Sequence, residues 1–126
     1  MTRSELDGII RERYGVSGER LFAKYPGFSV YRHTIGRKWF AVIMELPGEK
    51  FGKFGKRINV VNLKVDPHLC DLLRTARGFF PAYHMNKQNW ITAEIDEHTD
   101  TEQLLGLLSM SYRLTKTKAD FLSEND

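Results

Sequence analysis

The sequence predicts an α+β fold, a two-layer α/β sandwich in which helices cover one face of an antiparallel sheet. Segments typical of strands and of helices follow one another in the order α-β-β-β-α-β-α. The first three strand segments are joined by short connections, which favours antiparallel pairing because parallel strands need a long crossover. With 126 residues, 41% of them hydrophobic, the chain is long enough to bury one core without disulfides.

The first helix is predicted over residues 4–14. Thr2 and Glu5 have the spacing of a capping box, in which the side chain of each residue binds the backbone N–H of the other. Apolar side chains then recur at helical spacing, at Leu6, Ile9, Ile10 and Tyr14. Gly15 ends the helix.

Strand-like segments account for the predicted sheet, at residues 28–33, 38–46, 58–65 and 90–95. The second segment is almost uniformly apolar, which is typical of a central strand covered on both faces. A turn at residues 34–37 joins the first two segments. A longer loop at residues 47–57, with the sequence PGEKFGKFGKR, joins the second and third.

A second helix is predicted to begin after Asp66, as N-cap, with Pro67 in the first helical position. Its expected buried stripe consists of Leu69, Leu72, Leu73 and Ala76. Thr99 and Glu102 form a second candidate capping box. It opens a long amphipathic helix whose apolar face carries Leu104, Leu107, Leu108, Ser111, Tyr112 and Leu114.

These elements predict a single domain over residues 1–118, followed by a flexible acidic tail over residues 119–126. No apolar run approaches the roughly 18 residues of a membrane span, and the N-terminus lacks the apolar core of a signal peptide. Cys70 is the only cysteine and cannot form an internal disulfide, which favours a reducing compartment. We therefore expect a cytoplasmic protein without membrane association.

Charge is distributed unevenly along the chain. Residues 1–93 contain 16 Lys and Arg against 8 Asp and Glu, whereas residues 94–126 contain 3 against 8. A basic excess of this kind suits an anionic partner such as nucleic acid, although many basic proteins bind no such partner.

Several separated motifs, in order, resemble those of the MmcQ/YjbR family of small bacterial proteins, over about residues 25–112. The motifs are Tyr25-Pro26-Gly27-Phe28, Arg37-Lys38-Trp39-Phe40-Ala41, Asn62-Leu63-Lys64, Asp66-Pro67, Pro81-Ala82-Tyr83-His84-Met85-Asn86-Lys87, Trp90 and Ser111-Tyr112.

The resemblance implies a CyaY-like fold, related in shape to frataxin, whose hairpins are described as a double-wing DNA-binding motif. It implies DNA as partner. We also expect no enzymatic activity, because the residues assemble no convincing catalytic site. Iron handling is not implied, because frataxin-like iron binding depends on an acidic first helix. The first helix here mixes acidic and basic side chains, namely Glu5, Asp7 and Glu12 with Arg3, Arg11 and Arg13.

Two basic segments are candidate wings. The 47–57 loop carries Lys50, Lys53, Lys56 and Arg57, with Phe51 and Phe54 between them. Lysines of such a loop could neutralise phosphates while an aromatic ring touches a sugar or base. The alternative is a solvated loop with its phenylalanines folded back on the sheet.

The first turn supplies the other candidate wing, with Arg37 and Lys38 at its tip. These side chains could reach phosphates without reading sequence. The alternative is surface charge that protects an edge strand from pairing with other chains.

The stretch PAYHMNKQNW, residues 81–90, is typical of neither a helix nor a strand. It is a candidate ligand-binding corner with Tyr83, His84, Asn86, Lys87 and Trp90, in which His84 and Lys87 would hold an anion and Trp90 would stack. This corner supports the alternative function, a small-ligand or protein-interaction module. In the structural alternative, Asn86 and His84 bind nearby backbone, Trp90 packs in the core and Lys87 points to water.

No motif predicts a catalytic, cofactor or metal site. The four histidines, at 33, 68, 84 and 98, and Cys70 lack metal-ligand spacing. Cys70 is expected to be a small buried hydrophobe. Asp96, Glu97, Asp100 and Glu102 surround a helix start, where the helix dipole stabilises them. We expect a monomeric DNA-binding protein with mainly electrostatic, weakly specific contacts.

Overall fold

The computed structural model describes residues 1–124 and contains a five-stranded antiparallel sheet with strand order β1-β2-β3-β5-β4. The strands are β1 (Ser29–Arg32), β2 (Trp39–Pro47), β3 (Arg57–Lys64), β4 (Phe79–Pro81) and β5 (Trp90–Ile95). The helices are α1 (Arg3–Tyr14), α2 (Pro67–Leu73), α3 (Thr101–Leu114) and α4 (Lys118–Ser123), with a 3₁₀ helix at Gly48–Phe51. The predicted α+β sandwich, its antiparallel sheet and the order of its main elements are confirmed.

Two short elements add to the predicted order. β4 is only three residues long and pairs with β5 at the sheet edge, where Pro81 is tolerated because its missing N–H breaks no ladder hydrogen bond. In place of the tail predicted from residue 119, α4 extends to Ser123. Thr117 and Asp120 form a capping box at its start, which the acidic composition of this segment conceals. Residues 125–126 of the predicted tail lie outside the described part of the chain.

The predicted helix starts are confirmed at α1 and α2 and wrong at α3. Thr2 and Glu5 form the capping box of α1, and the Asp66 carboxylate accepts a hydrogen bond from the backbone of His68. The N-cap of α3 is Asp100 rather than Thr99. The Thr99 hydroxyl is engaged elsewhere, since it accepts from the Asp96 N–H at 2.8 Å and donates to the Glu94 carbonyl at 3.2 Å.

All three longer helices pack on the same face of the sheet. The core there joins side chains of α1, α2 and α3 to alternate residues of the central strands, with Leu6, Ile10, Ile43, Leu63, Leu73 and Leu108 among its buried members. In α2, Cys70 and Leu73 lie three residues apart on the buried side. Leu72, predicted to be buried, is on the other side and 73% exposed. Leu114, at the end of α3, is also exposed.

The other face of the sheet is also apolar but carries no α-helix among residues 1–124. Val30, Val42, Met44, Ile58 and Val60 are buried beneath three connecting segments. These segments place Phe22, Phe51 and Tyr83 over the strands. β2 is therefore covered on both faces, as predicted, but by helices on one face and by loops on the other. We call the loop-covered face the open face.

A β-bulge places Phe40 in the helix-side core. Tyr31 pairs with Ala41 and Arg32 with Trp39, so that Phe40 is the extra residue of β2. Its ring packs against Tyr14, His33 and Tyr112. The bulge thus lets Trp39 lie on the open face while its neighbour Phe40 is buried under the helices.

The turn between β1 and β2 is anchored to the C-terminal part of the chain. The buried His33 ring lies with Nε2 2.8 Å from the Thr115 hydroxyl, and the Gly36 N–H donates to the Asp120 carboxylate at 2.8 Å. A Cβ at Gly36 would collide with Asp120 and Thr117. Burial alone would raise the pKa of Asp120, but the N–H groups of Thr117 and Gly36 bind the carboxylate, and its pKa is lowered overall.

A buried hydrogen-bonded pair on the open face holds the segment that follows β4. Asn62 and Thr92 are directly paired between β3 and β5. The Thr92 hydroxyl donates to the Asn62 carbonyl at 2.5 Å and accepts from the Tyr83 N–H at 2.9 Å. The Asn62 amide donates to the Tyr83 carbonyl at 2.7 Å. Both backbone groups of Tyr83 are therefore bound by this Asn62–Thr92 clamp.

Removing the hydroxyl of Thr92 should destabilise the protein without changing side-chain shape. In Thr92→Val, the Tyr83 N–H and the Asn62 carbonyl lose their shared partner inside the protein. We expect a loss of about 1–3 kcal/mol in the free energy of unfolding, measured by urea denaturation. Thr75 is exposed, so Thr75→Val is the matched control and should change stability by no more than about 0.5 kcal/mol. An equal loss of unfolding free energy in the two variants would contradict a stabilising role of the Asn62–Thr92 clamp.

Burial of His33 should make stability depend on pH. Burial, with a smaller contribution from Lys116, lowers the pKa of His33 against the opposing effect of Asp120. The unfolded chain therefore takes up a proton as pH falls through about 6.5, whereas folded His33 stays neutral to lower pH. Stability should fall on acidification from pH 7.5 to 5.5, by at most about 1.4 kcal/mol per pH unit from this group.

The variant His33→Gln keeps a donor to Thr115 but cannot titrate. Its unfolding free energy, measured in urea at the same pH values, should change less between pH 7.5 and 5.5 than that of the unaltered protein. This window lies above the ordinary carboxyl range. Parallel pH curves for the two proteins would show that His33 does not carry the effect.

Candidate nucleic-acid interface

The loop between β2 and β3 is a compact structure. The Gly48 N–H donates to the Lys56 carbonyl at 2.7 Å, and the Lys53 N–H donates to the Gly48 carbonyl at 2.8 Å. The Gly55 N–H donates to the Glu49 carboxylate at 3.0 Å, which lowers the pKa of Glu49. Gly48 is required here because a Cβ would collide with the Lys53 carbonyl. The loop therefore presents its side chains from a hydrogen-bonded frame.

The two phenylalanines of this loop have different positions. Phe51 packs on the open face, with its ring centroid 4.9 Å from Phe80 and 6.2 Å from Tyr83. Phe54 is 79% exposed. The proposed folding back of aromatic rings on the sheet thus holds for Phe51, and Phe54 is an aromatic ring at the tip of the loop.

Two of the four bases of this loop are engaged in ion pairs with the sheet. Lys53 Nζ lies 2.9 Å from Glu94, whose side chain is only 7% exposed, and the hydrogen bond with Glu94 raises the pKa of Lys53. Arg57 Nε lies 2.8 Å from Glu45. Lys50 instead lies over the Tyr83 ring, 5.5 Å from its centroid. Lys56 is exposed and has no ion-pair partner among residues 1–124.

The first turn places Arg37 and Lys38 in different surroundings. Arg37 has a left-handed backbone, φ 64°, and its guanidinium lies 3.8 Å from Glu19. That carboxylate is already held by Arg32 through two hydrogen bonds of 2.8 Å, which lower the pKa of Glu19. Lys38 is exposed and, within the described chain, has no ion-pair partner.

The structure does not bring the six predicted basic residues together. Lys38 immediately precedes β2 and Gly48 immediately follows it. Nine strand residues span roughly 30 Å, so the two basic segments flank opposite ends of β2. They form two separate patches rather than one cluster.

The charge asymmetry seen along the sequence is reduced in three dimensions. The chain returns through β5 to place acidic side chains beside the β2–β3 loop. A groove of about 810 Å³ at this end of the sheet is lined by both charge types, with Lys53, Lys56, Arg57 and Arg77 facing Glu5, Glu94, Asp96 and Glu97. The most acidic part of the sequence therefore offsets part of the most basic part.

The corner at residues 81–90 divides into two parts. Tyr83 and His84 lie on the open face, and His84 is exposed with a left-handed backbone, φ 58°. The backbone of Lys87 and Trp90 contacts the other face, at α2. There the Lys87 carbonyl accepts from Cys70 Sγ at 3.3 Å and from Arg74 at 3.0 Å, and the Trp90 carbonyl accepts from Cys70 at 3.2 Å.

Asn86 and Lys87 have the roles expected of a structural corner. The Asn86 side-chain carbonyl accepts from the Gln88 N–H at 2.8 Å, and its backbone carbonyl accepts from Trp90 at 3.0 Å. The Lys87 side chain is exposed. The five residues predicted for this corner therefore do not line one pocket. Cys70 is the buried small residue that the sequence predicted.

The open face contains a pocket that sequence reasoning did not identify. It has a volume of about 250 Å³, and its walls include Phe22, Tyr25, Phe28, Trp39, Tyr83 and His84. Val42, Met44 and Asn62 of the sheet also line it. We call it the aromatic pocket. Three of its aromatic residues, Tyr25, Phe28 and Trp39, belong to motifs that the sequence shares with the family. These motifs indicated the family but did not indicate a binding site.

Residues 1–124 show neither a cluster of potential metal ligands nor a membrane-spanning helix. Residues 1–124 contain no group of three or more His, Cys, Asp or Glu side chains placed to hold a metal ion. None of the helices formed by these residues has the length and hydropathy needed to cross a bilayer.

Comparison with known proteins shows relatives along almost the whole chain. The protein YyaQ of Bacillus subtilis is 37% identical over 118 residues, which cover 92% of this chain and 99% of YyaQ. The protein YbdF of Escherichia coli O157:H7 is 32% identical over 80% of this chain and 72% of its own length.

Solved structures agree with the sequence comparisons. A crystal structure of a Pseudomonas syringae protein matches with a TM-score of 0.88 and 36% identity, covering 92% of this chain and 100% of that one. A Deinococcus radiodurans protein matches with a TM-score of 0.69 and 25% identity, over 94% of this chain and 84% of that one. The family model described as YjbR matches residues 11–114. The chain therefore belongs to the YjbR family.

Proposed function

We propose that this protein binds nucleic acid, with DNA as the expected partner, through the two basic segments at the ends of β2. The observation that carries the proposal is the presence of an exposed lysine without an ion-pair partner in residues 1–124 at each end, Lys38 and Lys56. Roughly 30 Å between the segments corresponds to about nine base pairs at 3.4 Å each. Both segments can thus contact phosphates of one duplex.

The six basic residues divide into contact and support roles in this proposal. Lys38, Lys50 and Lys56 are the main phosphate contacts, and Arg37 assists because Glu19 is already bound by Arg32. Lys53 and Arg57 hold the loop in place through Glu94 and Glu45. A weakly sequence-specific interaction follows, since lysine–phosphate contacts position a protein but do not read bases.

The proposal describes a binding protein that catalyses no reaction and needs no cofactor or metal. We further propose that it acts as a monomer in the cytoplasm. The buried free thiol of Cys70 suits a reducing compartment.

A second candidate function is a small-ligand module at His84, and the aromatic pocket favours it. Of the five residues predicted for the corner, Tyr83 and His84 line this pocket. The other members of the predicted corner, Asn86, Lys87 and Trp90, are not among the residues that line it.

Removing the three contact lysines should weaken DNA binding and its dependence on salt. Each phosphate contact contributes about 0.9 to the slope of log K against log salt concentration. For Lys38→Ala/Lys50→Ala/Lys56→Ala we expect that slope to fall by about 2 to 3, measured by fluorescence anisotropy with a labelled 20-mer duplex across a salt series.

The control removes the same charge from the helices. Arg13, Arg113 and Lys118 are exposed on α1, α3 and α4, so Arg13→Ala/Arg113→Ala/Lys118→Ala matches the change in net charge. It should keep the original slope. Equal losses in both triple variants would mean that net charge, rather than the two segments, governs binding, and absence of binding at low salt would refute the proposal.

Lys53→Ala should affect stability more than DNA binding. Loss of the ammonium leaves the buried Glu94 carboxylate without its ion-pair partner. Because Lys53 itself is 41% exposed, we expect a modest loss of about 1 kcal/mol in unfolding free energy. The salt slope should change by less than in Lys56→Ala. A full unit lost from the slope, with stability unchanged, would make Lys53 a contact residue.

A further inference from the structure

The aromatic pocket has flat walls of the kind on which bases stack. Tyr25 stacks on Phe28 with ring centroids 5.0 Å apart, and Phe22 meets Phe28 and Trp39 edge-on at 6.2 and 5.9 Å. Tyr25 is 53% exposed although it is packed on Phe28. A planar ligand can therefore reach the Tyr25 ring without unfolding the loop that carries it.

One polar side chain lies beneath the pocket. Asn62 is 1% exposed and is among the residues that line the pocket. Its amide donates to the Tyr83 carbonyl, and its side-chain carbonyl accepts from the Thr92 hydroxyl. These bonds hold the segment that carries Tyr83, so this wall of the pocket is in place before a ligand binds.

Two cationic side chains lie next to residues of the pocket wall. Lys50 is 5.5 Å from the centroid of the Tyr83 ring, which forms part of the wall. Arg20 donates to the Pro26 carbonyl, beside Tyr25. A ligand that carries a phosphate next to a planar ring would therefore find an apolar cavity for the ring and positive charge for the phosphate.

We propose that the aromatic pocket takes one unpaired base of single-stranded nucleic acid, with the flanking phosphates held by Lys50 and Arg20. The inference rests on the proposed function and extends it by naming the form of nucleic acid that the site prefers. A volume of about 250 Å³ is just below the roughly 300–1,000 Å³ of pockets for drug-sized ligands, which suits a single ring system.

A base within a duplex cannot occupy this site. Both of its faces are covered by neighbouring base pairs, and its hydrogen-bonding edge is paired. Base–aromatic stacking in single-strand binding proteins contributes about 1–3 kcal/mol per base. The pocket should therefore bind single strands and not duplex. The lysines of the two basic segments at the ends of β2 should contact the phosphates of both forms.

The test compares three labelled 20-mers by fluorescence anisotropy: a single strand, the corresponding duplex, and an abasic strand that retains the phosphates but has no bases. In Tyr25→Ala the affinity for the single strand should fall about 5- to 150-fold, while affinities for the duplex and the abasic strand remain unchanged. Phe121→Ala is the matched control, because Phe121 is an exposed aromatic of α4 that does not line the pocket. It should leave all three affinities unchanged.

The outcomes separate this inference from the proposed function. If the single strand binds no better than the abasic strand and Tyr25→Ala has no effect, the pocket inference is overturned while phosphate binding stands. If none of the three strands binds at low salt, both proposals are overturned. Single-strand binding that is lost in Tyr25→Ala but unchanged in Lys38→Ala/Lys56→Ala, which keeps Lys50, would support the pocket and overturn Lys38 and Lys56 as phosphate contacts.

Discussion

The central strands β2 and β3 are apolar on both faces, although the helices can cover only one of them. Val42, Met44 and Val60 face away from the helices and would expose a continuous apolar surface if nothing lay over them. The connecting segments therefore have to supply the second cover. They do so with individual aromatic rings rather than with a continuous layer. The aromatic pocket lies between these rings, and its position follows from the way in which the second face is covered.

Hydrogen bonding explains why the loop cover remains in place. A loop that crosses a buried sheet face brings its backbone polar groups with it, and each needs a partner. The Asn62–Thr92 clamp meets this need for Tyr83 by placing two polar side chains at paired positions within an otherwise apolar surface. Asn62 is also one of the residues that line the aromatic pocket. One polar pair thus connects the packing of the open face to the wall of its pocket.

Local patterns were sufficient to predict most of the fold. Thr2 with Glu5, Asp66 with Pro67, and the apolar run of β2 each act within a few residues, and each has the predicted role. The errors arose where the sequence did not reveal the hydrogen-bond partners of a side chain. Thr99 is bound by the Asp96 N–H and the Glu94 carbonyl of the preceding turn. Asp120 belongs to the capping box of α4 and also accepts from the Gly36 N–H, 84 positions away.

The candidate site was less predictable than the fold for the same reason. The bases of the β2–β3 loop could be identified from the sequence, but their ion pairs could not. Glu94 lies 41 positions after Lys53, and β5 brings the two together. The aromatic pocket combines residues of four separate segments whose common location depends on the sheet order. Composition can identify such residues but cannot show which of them meet.

The contact between Gly36 and Asp120 has a consequence for how the chain folds. The two residues are 84 positions apart, and His33 and Thr115, in the same region, are 82 apart. Proteins are synthesised from the N-terminus, and contacts between distant positions slow folding. The β1–β2 turn can form its own hydrogen bonds early, such as the one from the His33 N–H to the Lys38 carbonyl. The anchoring of the turn by Asp120, in contrast, has to wait until the C-terminal part of the chain has been made.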